Sequence, residues 1–214
     1  MIIDQIRKAA VNEEIDYLFL TSFLKNYSNP RDKITHLLKT KALIRIKKGL
    51  YIFGERYAKK PFITETLANL IYGPSYISLE YALAFYGMIP ERVEVITSVT
   101  NKRDKTFETP AGFFTYRYLN AKKYPVGITQ IIIDDTHPVL FATPEKALVD
   151  KIVLESPGLK LNHEQDVAKY LYEDLRLYPD KVHNLDLKKM RQIALTYSNA
   201  NVFSLVDFFE KEKL

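Results

Sequence analysis

The sequence predicts an α+β protein. A small basic module of helices and a β-hairpin fills residues 1–60, and a larger mixed α+β domain with a helical C-terminus fills residues 61–214. Three observations carry this expectation. Apolar residues recur at helical spacing through the first forty positions, then switch to strand alternation at Ile44 and Ile46. Beyond residue 61, helical and strand patterns interleave until Pro144, after which the patterns are helical. Charge is divided unevenly as well. Residues 1–60 hold 13 Lys/Arg against 6 Asp/Glu, whereas residues 61–214 hold 18 against 20. Such asymmetry is expected where one segment meets phosphates and the rest does not.

In the first sixty residues a helix is predicted over Ile2–Val11 and a second over Leu18–Leu24. Asn26-Tyr27-Ser28-Asn29-Pro30 reads as a turn. Asn29 suits an N-cap, Pro30 the first helical position, and Asp32 puts a carboxylate in the first turn. The third helix should run to Thr40, with Ile34, Leu37 and Leu38 as its buried stripe. At 100° per residue, Asp32, Lys33, His36, Lys39 and Thr40 then face outward. Leu43 to Phe53 reads as a hairpin turning at Gly49.

Helix, turn, helix, then a basic-tipped hairpin is the order of a winged helix-turn-helix. On that reading Asn29, Lys33, His36, Lys39 and Thr40 are candidates for groove contacts with double-stranded DNA. Arg45, Lys47 and Lys48 would hold the phosphate backbone.

Glu55–Pro61 reads as a linker. Helices are predicted over Thr64–Tyr72, with Thr64 as cap and Gly73-Pro74 as stop, and over Ser78–Tyr86, with Ser78 as cap. Strands are expected at Val93–Thr97, Gly112–Tyr118, Ile128–Asp134 and Pro138–Ala142, with a charged turn at Asn101–Lys105. Thr143 and Pro144 open a helix that runs to Glu155. Helices over His163–Leu177, Asp186–Ser198 and Val202–Lys211 complete the chain.

Motifs for enzymatic chemistry are sparse. The chain has no P-loop, G-x-G-x-x-G, G-x-S-x-G or H-E-x-x-H motif, and only 7 glycines. Asp134, Asp135 and His137 are the closest approach to a metal constellation, and they read better as a tight turn. Glu80, Glu94 and Lys102 are the residues a metal-dependent nuclease would use, but they lack the compact spacing of one. A stand-alone regulator with a ligand pocket in the larger domain is the other alternative. Lys102, Arg103 and Lys105 are candidates for a second electrostatic contact with nucleic acid or an acidic protein, the alternative being a solvated turn. We therefore expect no catalytic residues, no metal and no cofactor.

The absence of cysteine fits a reducing compartment. No apolar run is long enough for a membrane span and no secretory leader is evident, so the expected location is cytoplasmic.

Four segments carry a family resemblance. They are Leu43–Tyr51, then Tyr76–Leu83 with Tyr86–Pro90, then Thr97–Arg103, and most specifically Ala142-Thr143-Pro144-Glu145-Lys146-Ala147-Leu148-Val149-Asp150. In these the chain resembles the AbiEi-like antitoxins and transcriptional regulators of type IV (AbiE-type abortive-infection) toxin–antitoxin systems. The resemblance covers most of the chain and is loose beyond Ser156. It implies a repressor whose N-terminal module binds inverted repeats in its own promoter. It further implies a larger domain that neutralises a nucleotidyltransferase toxin, without the need for a stable complex.

Overall fold

The computed structural model describes residues 1–134 and 137–212. Among them, ten α-helices, one π-helical turn and nine strands in two sheets make a mixed α+β protein. The first sixty residues form α1 (Ile2–Ala9), β1 (Glu14–Asp16), α2 (Tyr17–Ser22), α3 (Pro30–Lys39), β2 (Leu43–Lys47) and β3 (Leu50–Phe53). Asp16 caps α2 by accepting from the Phe19 amide at 2.7 Å. The sheet order is β1-β3-β2, antiparallel throughout. Strand β1 was not expected from sequence, because Glu14-Ile15-Asp16 is short and carries two carboxylates. It forms by completing the free edge of β3.

The hairpin is covered on both faces. Leu43, Tyr51 and Phe53 pack with Ile3, Ile6, Leu20, Ile34 and Leu37 in the core of the N-terminal module. Ile46, Leu50 and Ile52, from the other face, belong to the core of the larger domain. The alternation of Ile44 and Ile46 seen in the sequence thus seats the hairpin on residues 61–212 rather than on the first helices.

The predicted linker is stitched down as well. Glu13 accepts from the amides of Lys59 and Lys60 at 3.2 and 3.3 Å while holding buried Arg7 at 2.9 Å. Glu14 accepts from the Ile63 amide at 2.9 Å and faces His137 Nε2 at 3.2 Å. Lys60 pairs with Asp134 at 3.0 Å across the same seam.

The larger domain contains α4 (Thr64–Ile71), β4 (Ser75–Ile77), α5 (Leu79–Phe85), β5 (Ile96–Thr100), β6 (Lys105–Thr109), β7 (Gly112–Tyr118), β8 (Ile128–Ile132) and β9 (Pro138–Ala142). It continues with α6 (Pro144–Glu155), α7 (Glu164–Lys169), a π-helical turn (Tyr170–Asp174), α8 (Pro179–His183), α9 (Leu187–Tyr197) and α10 (Ala200–Glu212). Its six-stranded sheet runs β6-β7-β5-β4-β9-β8, parallel at β5/β7 and β4/β9.

Several boundaries differ from expectation. The strand predicted at Val93–Thr97 lies at Ile96–Thr100. It is a central strand whose two threonine hydroxyls are bonded internally: Thr97 donates to the Ser78 carbonyl at 2.7 Å and Thr100 to the Pro74 carbonyl at 2.8 Å. Those bonds let a polar run be buried where an apolar one was sought. Lys105 begins β6 instead of closing a turn. Thr64 is the first residue of α4 rather than its cap, a position taken by Ile63. The helix predicted over His163–Leu177 changes to π-helical winding at Tyr170 and ends at Asp174.

Helix α6 begins as expected, with Thr143 accepting from the Lys146 amide at 3.4 Å and Pro144 in the first turn. It runs through the centre of the domain, which buries Lys146 and Asp150 completely. Lys146 donates to the Tyr197 hydroxyl at 2.5 Å and to the Lys123 carbonyl at 3.1 Å. Asp150 accepts from Tyr197, from Tyr76 at 2.9 Å and from Ser78 at 2.8 Å. Ser78 thus gives its hydroxyl to Asp150 and makes no side-chain cap bond to α5. Gly127, with φ +78°, lies so close to the Lys146 chain that a Cβ there would stand 2.9 Å from its Cδ. The most specific segment of the family resemblance is therefore a buried polar hub that organises the domain.

Candidate nucleic-acid interface

A concave basic surface of the N-terminal module lies between α3 and the hairpin. Pro30 starts α3 in helical geometry, and Ile34 and Leu37 fix its inner face in the core. Arg31 and Thr35 are thereby turned towards the hairpin. Tyr17, Arg31, Ile34, Thr35, Arg45, Lys48, Gly49 and Tyr51 line a groove of about 760 Å³. Arg31, Arg45 and Lys48 are exposed, and among the described residues they form no ion pair and the groove wall has no carboxylate. Gly49, with φ +87°, makes the tight turn that presents Lys48, and its carbonyl accepts from the Tyr17 amide at 2.9 Å. The geometry suits a phosphate backbone: cations held on two walls, α3 and the hairpin, with Tyr17 and Tyr51 among the lining residues.

The residues singled out from sequence divide into groups. Arg45 and Lys48 are on this groove. His36 and Lys39 are exposed on α3, His36 lying on the far flank with Tyr27, Asn29, Asp32 and Lys33. Asn29 is the N-cap position, yet its amide goes to Asp32 at 2.5 Å instead of to the helix backbone. Lys33 rests over the Tyr27 ring at 5.5 Å. The Thr40 hydroxyl donates back to the His36 carbonyl at 3.0 Å. Arg31, Thr35 and Tyr17 were not singled out. The signal for the first two was their i, i+4 spacing beside the apolar stripe.

Lys47 stands apart from Arg45 and Lys48. The pairing of β2 with β3 slips by one residue between Arg45 and Lys47, a bulge that re-aims the side chain. Its ammonium donates to the Ile71 carbonyl at the C-terminal end of α4. Lys102 reaches the next turn of chain, donating to the Gly73 carbonyl, and lies over Tyr72 at 5.4 Å. Lys105 sits over the same ring at 5.6 Å. Burial, and then the charges of Lys102 and Lys105, lower the pKa of Lys47. The basic turn of the larger domain and the hairpin are therefore one cluster gathered on a helix C-terminus, where cations are favoured. Arg103 is exposed beside it.

The enzymatic candidates separate. Glu80 and Glu94 line an open groove with Leu83, Glu91, Lys151 and Asp174. Lys102 lies beyond the opposite end of β5, about 17 Å of strand away. Lys151 is paired with Glu80 and with Glu155, the latter at 3.0 Å. Of the Asp134-Asp135-His137 trio, Asp135 lies outside the described residues. His137 is buried, with Nδ1 2.5 Å from Asp134 and Nε2 facing Glu14. No group of three or more His, Cys, Asp or Glu side chains is placed to hold a metal ion among the described residues. No described helix is long and apolar enough to cross a membrane.

No protein-family model matches the chain, and no curated protein matches it.

Proposed function

We propose that residues 1–60 are a winged helix-turn-helix that binds double-stranded DNA, with α3 as recognition helix and β2–β3 as wing. The observation that carries this reading is the groove between them, where Arg31, Arg45 and Lys48 stand exposed without a carboxylate among its lining residues. We further propose that the chain is a cytoplasmic, non-enzymatic repressor of its own operon and the antitoxin of a type IV system, acting against a nucleotidyltransferase toxin. Supporting this is the way three of the four resembling segments meet in space. Asp150 binds Tyr76 and Ser78, Tyr86 donates to the Ala142 carbonyl at 2.8 Å, and Thr97 binds Ser78. Lys102, Arg103 and Lys105 supply a second electrostatic contact from the larger domain.

Two measurements test the reading. Fluorescence anisotropy with the chain's own promoter fragment should show tighter binding than with a shuffled duplex. The logarithm of affinity should fall with log salt at a slope set by roughly four to six phosphate contacts. Co-expression should rescue cells from a nucleotidyltransferase encoded next to this chain. Binding that ignores both salt and sequence would remove the DNA reading, and failure to rescue would remove the antitoxin reading alone. The ligand-sensing alternative would need an enclosed pocket, whereas the groove around Glu80 and Glu94 is open to solvent. The nuclease alternative is disfavoured by the separation of Lys102 from those carboxylates.

A further inference from the structure

Resting on the DNA-binding reading, we infer that sequence is read by Arg31 and Thr35, with Arg31 on a guanine and Thr35 on the methyl group of a nearby thymine. The inference comes from asking which outward side chains of α3 are free to meet a base edge. Asn29 and Asp32 are bonded to one another at 2.5 Å. Lys33 covers Tyr27, and Thr40, at the C-cap beyond the last helical residue, is not among the residues that line the groove. His36 is on the flank that turns away from the hairpin. Lys39 is near the C-terminal end of the helix, where its ammonium complements the helix dipole.

Arg31 and Thr35 are the two that share the groove with Arg45 and Lys48. If those two cations hold phosphates, the α3 face between them and the core points at the bases. Arg31 is in the first turn, the part of a recognition helix that comes nearest the base edges. Its guanidinium presents a planar fork that matches O6 and N7 of guanine. The Thr35 hydroxyl is committed, donating to the Arg31 carbonyl at 3.0 Å. What remains outward is its methyl, the group that packs on the C5 methyl of thymine. Four residues along a helix span about 6 Å, close to two base-pair steps. The half-site should therefore hold a G·C pair with a T·A pair within two steps of it.

Selection from a randomised duplex library tests this with wild type, Arg31→Ala, Thr35→Ser and the Arg45→Ala, Lys48→Ala double variant. Wild type should enrich a motif containing those two pairs. Arg31→Ala should lose the guanine preference, with discrimination at that position falling roughly ten- to hundredfold, while its salt slope changes little. Thr35→Ser keeps the hydroxyl and loses the methyl, so only the thymine preference should fade. The double variant should keep the motif and bind every sequence less tightly. Arg31→Ala protein that selects the unaltered motif, at uniformly lower affinity, would make Arg31 a phosphate contact and overturn the inference. Unchanged thermal midpoints establish that the variants are folded. Wild-type protein that binds no duplex at about 50 mM salt removes the DNA reading, and this assignment with it.

Discussion

Lys47 and Lys48 are neighbours in sequence and have different surroundings. Lys48 is exposed at the turn, and Lys47 is bonded to the end of α4. Replacing Arg45 and Lys48 together by alanine should flatten the salt slope of DNA binding by about two units. Lys47→Ala should leave the slope near its original value and instead destabilise the fold by about 1 kcal/mol, the net worth of one hydrogen bond. Anisotropy titrations and urea denaturation read these separately. A full unit of lost slope in Lys47→Ala would return it to the phosphate face.

At Asp150 the energetics are larger, because the groups around it are buried. Asp150→Ala leaves Lys146 without its counter-charge and should cost about 3–5 kcal/mol in denaturant unfolding. Lys146→Met should cost less, since Tyr76, Ser78 and Tyr197 still donate to the carboxylate. Equal losses in the two variants would mean that Asp150 is held by its ammonium partner more than by the hydroxyls. Sequence spacing showed Lys146 and Asp150 one helical turn apart, and Thr143 and Pro144 marked the helix start. It could not show that three hydroxyls from β4, its following residue and α9 would converge there, because those contacts span up to 74 residues.

For the elements, legibility followed local signals. Helix α3, the hairpin, β7, β9 and α6 were readable because each carries a cap, a proline or a glycine beside a clear period. Strands β1, β4 and β6 were not, being short or polar and existing only because a neighbour offers an edge. Helix α8, a single short turn opened by Pro179, was also unforeseen. The candidate groove was half legible: Arg45 and Lys48 followed from the hairpin, while the bulge that removes Lys47 leaves no mark in the residues. Since the hairpin belongs to two cores, the boundary placed at residue 60 does not divide the packing there. Ile52→Ala should cost about 2–5 kcal/mol and lower the stability of both halves together. An isolated 1–60 fragment would expose Ile46, Leu50 and Ile52 and should lack cooperative unfolding by circular dichroism. A fragment that melts as sharply as the whole chain would refute the shared core.

Across the whole molecule, the tyrosines set an alkaline limit. Burial raises the pKa of Tyr76, Tyr116 and Tyr197, and pushes Tyr86 and Tyr124 up to about 12. In the unfolded chain these phenols ionise near 10. Above that value the unfolded state releases protons that the folded state keeps, so stability is intact below pH 10 and falls as pH rises from about 10 to 12. Absorbance at the phenolate band should show a delayed titration that coincides with unfolding. Titration of every phenol near 10 in folded protein would contradict the burial.

If the proposed DNA reading holds, the seam formed by Glu13 and Glu14 also bears on how two copies would sit on opposed half-sites. Three backbone amides hang from two adjacent side chains, Glu13 and Glu14, and Glu14 also faces His137 of the larger domain at 3.2 Å, which ties the two parts together. Once α3 is seated, the heading of the C-terminal helices is set too. The spacing between half-sites then decides whether those helical bodies collide, touch or miss, and cooperativity between copies becomes a property of operator length.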